Sequence, residues 1–326
     1  MMDESKKRLN VLKQHLMPNR LLQTHITSSS TLQYTLNEGI LNDQQRRFYE
    51  DNGYFVVRRL VDRESLDKFE RRFRDICNRL VEVPYITVMR DVAVAKDNRH
   101  SAPVTKIQNF QDDDILFSYC THPNILKYVA SFVGPDIMAM HTMLISKPPD
   151  PGTKSSRHPM HQDQHYFPFR PADRIVCSWT AMEHVHRANG CLVVVPGSHK
   201  GSLLPHDYPK WEGGVNKMYH GIQGFDPGED RERVHLEMEA GDTVFFHPLL
   251  IHGSGMNRTQ GSRNAISCHY ASSHCDYVDV KGTMQENISN EVLELFHRRV
   301  GGDVEADHST PWRLKARLVH GCRGTL

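Results

Sequence analysis

The chain has 326 residues, 38% of them hydrophobic and 24% charged, with a formal net charge of +1 at neutral pH. That balance provides no broad field for nucleic acid or an anionic membrane surface, and no apolar run approaches the ~20 residues needed to span a bilayer. Seven cysteines, with no Cys-x-x-Cys pair and one left over, argue against a disulfide framework and for a reducing compartment.

Residues 1–38 lack the composition of a packed domain. Thr27-Ser-Ser-Ser-Thr31 is a polar linker and there is no secretory apolar core. Upstream of it, Arg8-Leu9 and His15-Leu16 bracket five residues, with Leu9, Leu12 and Leu16 at helical spacing. A helix is predicted over Asp43–Asn52, capped by Asn42 or Asp43 and stopped by Gly53, followed by a strand at Tyr54–Val57. A second helix follows Asp62, its apolar stripe running through Leu66, Phe69, Phe73, Ile76 and Leu80. Alternation predicts strands at 86–94, 104–110 and 137–145, with a helix containing Leu126, Tyr128, Val129 and Phe132 before the last. Lys106 falls in one of these strands, where a lysine ordinarily snorkels to solvent.

From residue 158 the pattern is all-β, with short strands at 174–182, 191–195, 233–238, 243–246 and 264–270. Regular short strands with Gly/Pro turns predict a mainly β, double-stranded β-helix (jelly-roll, cupin-like) with flanking N-terminal α-helices. Residues 200–231 interrupt it as a long loop, read as a lid. A helix over 290–297 and a loop over 300–310 close the chain.

The chemistry concentrates at His161-Gln162-Asp163. A His and an Asp two apart on a strand point the same way. One more imidazole would complete a 2-His-1-carboxylate triad, which holds Fe(II) and leaves open positions. His252, in Leu249-Leu-Ile-His-Gly-Ser-Gly255, is the candidate, and Arg263 on the next strand could grip a dicarboxylate. The residues alone leave rivals open. His165 shares the alternating face with Asp163, His247 could replace His252, and His199 and His269 lie at plausible strand ends.

Three stretches, His158–Phe169, Asn189–His199 and Gly241–Gly255, resemble the phytanoyl-CoA dioxygenase family, and the similarity extends from about Tyr34 to Leu318. The resemblance implies that His161, Asp163 and His252 hold Fe(II). It implies that Arg263 and Ser254 hold the distal carboxylate of 2-oxoglutarate, and that Lys106, Met143, Gln162 and Trp179 line the co-substrate site. A lysine beside a dianion has an electrostatic reason to point inward, which reverses the solvent reading of Lys106. The implied reaction is O2-dependent C2 hydroxylation of phytanoyl-CoA and related 3-methyl-branched acyl-CoAs, the first step of fatty-acid α-oxidation, with ascorbate as a supporting reductant.

Arg8–Leu16 resembles the type-2 peroxisomal targeting signal, which implies a matching import receptor and the peroxisomal matrix. The expected organisation is a targeting peptide and linker at 1–33 and an oxygenase domain at 34–326. A halogenase would lack the carboxylate that Asp163 supplies. The same chemistry on another small molecule or a protein side chain stays open, as does a non-catalytic cupin-like metal binder, against which Arg263 beside a full triad speaks.

Overall fold

The computed structural model describes residues 32–37, 39–91, 102–152, 154, 156–211, 215–225, 232–301 and 304–326, so the motif at 8–16 lies outside the described residues. The first helix, α1, is Asp43–Asn52. The Asn42 side chain accepts from the Gln45 N–H, the Gln45 side chain accepts from the Asn42 N–H, and Gly53 ends the helix at φ +77°. Strand β1 (Tyr54–Val57) follows, then α2 (Arg63–Cys77), which buries Leu66, Phe69, Phe73 and Ile76. Leu80 does not continue that stripe. Arg79 turns left-handed at φ +58° and the Leu80 N–H bonds back to Asp75 O, closing the helix and leaving Leu80 exposed.

Strands β2 (Thr87–Arg90) and β3 (Val104–Gln108), helices α3 (Asp114–Phe117) and α4 (Pro123–Val133), and the long strand β4 (Ile137–Lys147) come next. The later strands are β5 (His158–His161), β6 (Phe169–Arg170), β7 (Ile175–Ala181), β8 (Leu192–Val194), β9 (His206–Asp207), β10 (Gly221–Ile222) and β11 (Val234–Leu236). After them come β12 (Thr243–Phe246), β13 (His252–Ser254), β14 (Arg263–Ser272) and β15 (Asp276–Tyr277). Helix α5 (Glu286–Val300), helix α6 (Thr310–Lys315) and strand β16 (Arg317–His320) end the chain. The last two carry no periodic signature in the sequence, one being a six-residue helix and the other a four-residue strand.

The main antiparallel sheet runs β1-β12-β7-β14-β4-β3-β2, with β16 beside β4. One end of β4 pairs with β3 and the other with β16. A smaller sheet runs β11-β8-β13-β5. Alternation then sorts the main sheet's two faces. Val176 of β7 and Ile266, Cys268 and Tyr270 of β14 join the helical side chains of α1, α2 and α4 in one core. Cys177 and Trp179 of β7, Val244 and Phe246 of β12 and Ala265 of β14 face Leu192, Val194 and Leu236 of the smaller sheet and Leu250 just before β13. The result is the expected jelly roll, with helices outside and a second, inter-sheet core. Among the described residues all seven cysteines are unpaired, and no helix is long and apolar enough to cross a membrane.

Candidate active site

The site starts from the pairing of two short strands. β5 and β13 are antiparallel neighbours with His161 opposite His252, and directly opposed residues project to one face. Their ring centroids are 4.2 Å apart. His161 Nδ1 lies 2.8 Å from Pro159 O, and His252 Nδ1 lies 2.9 Å from Leu250 O. A carbonyl only accepts, so each Nδ1 carries the proton and each Nε2 keeps a lone pair for a ligand. Burial, then neighbouring His161, lowers the His252 imidazole to about 4, which keeps it neutral and able to ligate at pH 7.

Asp163 arrives differently from the expectation. β5 ends at His161, and the chain enters a 3₁₀ turn over Asp163–Tyr166. Gln162 alone is extended, at φ −120° and ψ 125°, and that one step returns Asp163 to the His161 side. Asp163 Oδ1 is 3.3 Å from His161 Nε2, and Oδ2 is 3.7 Å from His252 Nε2. The ligand atoms of His161, Asp163 and His252 all lie within 4.8 Å of one another, and all three residues are buried.

His269, on the inner face of β14, donates from Nε2 to Asp163 Oδ2 at 2.8 Å and so orients the carboxylate. Burial by itself would raise the Asp163 carboxyl. The neighbouring imidazoles of His252, His269 and His161, with the hydrogen bond from His269, instead hold it well below the usual carboxylate range. Two imidazoles and one carboxylate suit Fe(II).

Arg263 opens β14 and is only 2% exposed. Its Nη2 donates to Gly190 O at 3.0 Å, while Nε and Nη1 are buried with no protein acceptor. Burial lowers the guanidinium to about 10, so it stays charged at pH 7. A buried cation with unused N–H groups beside a metal-ready triad fits an anionic co-ligand.

The family profile described as "Phytanoyl-CoA dioxygenase (PhyH)" matches residues 49–265. The peroxisomal phytanoyl-CoA dioxygenase of Rattus norvegicus is 60% identical over 293 residues, covering 89% of this chain and 86% of its own. That of Homo sapiens is 59% identical over 296 residues, covering 90% and 87%. The chain belongs to the phytanoyl-CoA dioxygenase family. Its fold extends further. The crystal structure of EctD from S. alaskensis with 2-oxoglutarate and 5-hydroxyectoine matches with a TM-score of 0.56 at 16% identity, over 73% of this chain and 78% of that one.

Of the positions carried over from the phytanoyl-CoA dioxygenase pattern, Lys106, Met143, Trp179, Ser254 and Arg263 line one cavity together with His161, Asp163 and His252. Gln162 does not line it. Its Nε2 donates to Ser202 O and Leu249 O, and its Oε1 accepts from the Leu204 N–H, so the side chain braces loops behind the ligands. Lys106 is buried, correcting the snorkelling expectation. It pairs across β3–β4 with Ile145, whose inner face lines the cavity, and its Nζ sits 4.8 Å from the centre of the Tyr219 ring. Burial lowers its ammonium to about 8, against the pull of Asp163.

Of the rival histidines, His269 reaches the cavity as the hydrogen-bond partner of Asp163, and the other three lie elsewhere. His165 stacks on His206 and shares a hydrogen bond with His220, whose Nε2 is 2.9 Å from Glu291. His247 faces Asp173, and His199 bonds to Glu50 O. His158, Lys147 and Tyr219 also line the cavity but carried no sequence assignment. Tyr219 comes from the described part of the 200–231 loop and stacks on His158, so that loop supplies a wall of the cavity.

Proposed function

We propose that this chain is an Fe(II)- and 2-oxoglutarate-dependent dioxygenase. Its proposed reaction is hydroxylation at C2 of phytanoyl-CoA and related 3-methyl-branched acyl-CoAs, the entry step of fatty-acid α-oxidation. The observation that carries the reading is the buried His161/Asp163/His252 set beside an Arg263 with unused donors. Phytanoyl-CoA dioxygenases at about 60% identity to this chain support the choice of substrate. A 3-methyl branch blocks β-oxidation, and a 2-hydroxyl permits shortening by one carbon instead.

When bound, iron supplies the O2 activation that splits 2-oxoglutarate into succinate and CO2, one oxygen atom going to succinate and the other to the substrate. The chain's own part is positioning. His161, Asp163 and His252 hold three sites of the metal and leave the others open. Arg263 and Ser254 bind the distal carboxylate, and Met143 and Trp179 wall the co-substrate in. Lys106 adds positive charge on the side facing Asp163. Ascorbate is the proposed reductant that keeps the iron divalent.

Succinate release measured with phytanoyl-CoA, with free phytanic acid and without prime substrate tests this. The expected order is high, low and lower still. Equal turnover of the free acid would remove CoA from the substrate, and no succinate under any condition would leave a cupin-like metal binder.

Residues 1–33 are proposed as targeting peptide and linker ahead of an oxygenase domain at 34–326, read by the type-2 import receptor for delivery to the peroxisomal matrix. The Arg8-Leu9/His15-Leu16 spacing and the relatives named peroxisomal support this. A fluorescent protein fused behind residues 1–38 is expected to be punctate and to turn cytosolic on Arg8→Ala or His15→Ala. Puncta surviving both changes would place the address elsewhere.

A further inference from the structure

Lys147, at the end of β4, is only 5% exposed and lines the cavity. In the β4–β14 ladder it stands directly opposite Arg263. Like charges directly opposed in a sheet destabilise it, and here both members are buried. Lys147 Nζ donates to Ser254 Oγ at 2.7 Å and to Gly255 O at 2.6 Å, both of them neutral acceptors. Asp150, three residues on, is committed elsewhere. Its Oδ1 accepts from the Gly152 and Lys154 N–H groups, and its Oδ2 from the N–H and hydroxyl of Ser156. Burial first, and Arg263 next, push the Lys147 ammonium well below its usual range.

Gly190 shapes the space around both cations. It sits at φ +80°, and a Cβ there would come within 2.6 Å of Gly255 O and 3.0 Å of Lys147 Cδ. Its carbonyl is the acceptor for Arg263 Nη2. Two buried cations held side by side over neutral partners are the arrangement an anion would relieve.

Ser254 adds a direction. Its oxygen accepts from Lys147, so its own O–H is left to donate elsewhere. A carboxylate seated against Arg263 is the acceptor that the cavity leaves for it.

We propose that Lys147 is a positioning residue for the co-substrate. It forms with Arg263 a two-cation cradle for the distal carboxylate of 2-oxoglutarate and turns the Ser254 hydroxyl toward it. This rests on the function proposed above. The structural alternative is that Lys147 only ties the end of β4 to the 254–255 turn.

The test uses the full chain loaded with redox-inert Mn(II), titrated calorimetrically with 2-oxoglutarate and with pyruvate, which keeps the 2-oxo acid head and lacks the distal carboxylate. Lys147→Met is expected to weaken 2-oxoglutarate binding ~10- to 100-fold, with pyruvate binding and Tm close to wild type. Lys147→Arg, which keeps the charge, should recover most of the loss. Lys147→Gln, which keeps a donor to Ser254 without the charge, should fall between them and serves if the Met variant does not fold. Ser254→Ala combined with Lys147→Met should lose less than the product of the single losses, because the two act as a unit.

Unchanged 2-oxoglutarate affinity in Lys147→Met, or equal weakening of pyruvate, would overturn the assignment. Multiplicative losses in the double variant would overturn the Ser254 part of it. Failure of the wild-type Mn(II) protein to bind 2-oxoglutarate is a separate result and would remove the proposed function itself.

Discussion

Alanine at His161, Asp163 or His252 is expected to reduce 2-oxoglutarate-dependent turnover to background and to strip tightly bound Fe(II) from the folded protein. Each change removes one of three donors whose ligand atoms lie within 4.8 Å of one another. Two donors neither retain Fe(II) against solvent nor leave its open positions in place. Bound metal per chain, succinate release and Tm measured on the same preparations separate loss of metal from loss of fold.

Two further variants grade the effect. His269→Ala removes only the N–H that orients Asp163 Oδ2, and outer partners of this kind are worth ~10- to 100-fold in metal affinity. His247→Ala touches Asp173 instead of the metal ligands and should keep both iron and turnover in whatever fraction folds. Activity lost in His247→Ala and retained in His252→Ala would move the third ligand.

Arg263→Ala should raise the 2-oxoglutarate requirement far more than the acyl-CoA requirement. Truncating one partner of a buried charged pair costs ~2–5 kcal/mol, or roughly 30- to several-thousand-fold in affinity. Arg263→Lys should recover only part, because a single ammonium replaces a planar fork that also bonds to Gly190 O. Steady-state KM values for both substrates, with Fe(II) saturating, check this. Equal increases in the two would mean that Arg263 supports the fold of the site and does not bind the co-substrate.

Much of this architecture is local and was legible residue by residue. The Asn42–Gln45 box and Gly53 bound α1 at the predicted residues. The alternation of β4, β7, β12 and β14 marked four of the main-sheet strands, because one side of each strand packs under helices and the other faces the smaller sheet. His161 and Asp163 share a side through the one extended residue between them, whatever the chain does afterwards.

Strand parity is relative, however, and chemistry needs to know which face is inside and which strand lies opposite. Composition read Lys106 as solvent-bound, and only the pairing of β3 with β4 turns it into the cavity. Lys147 went unassigned although it lies on the same side of β4 as Met143, since four residues along a strand restore the face. The signal was in the pattern, but nothing in it said that this side carries the site. Gln162 stands between His161 and Asp163 and turns outward to brace neighbouring loops. The choice of His252 over His247 came from resemblance at the sequence level. In the structure, register sets His252 opposite His161 while His247 packs toward Asp173.

The sequence by itself determined the elements, their two-sided character and the kinds of donor available. Tertiary structure decided which donors meet, because register between strands distant in the chain depends on the packing of both sheets together, and a slip of one residue would send every side chain of a strand to the other face.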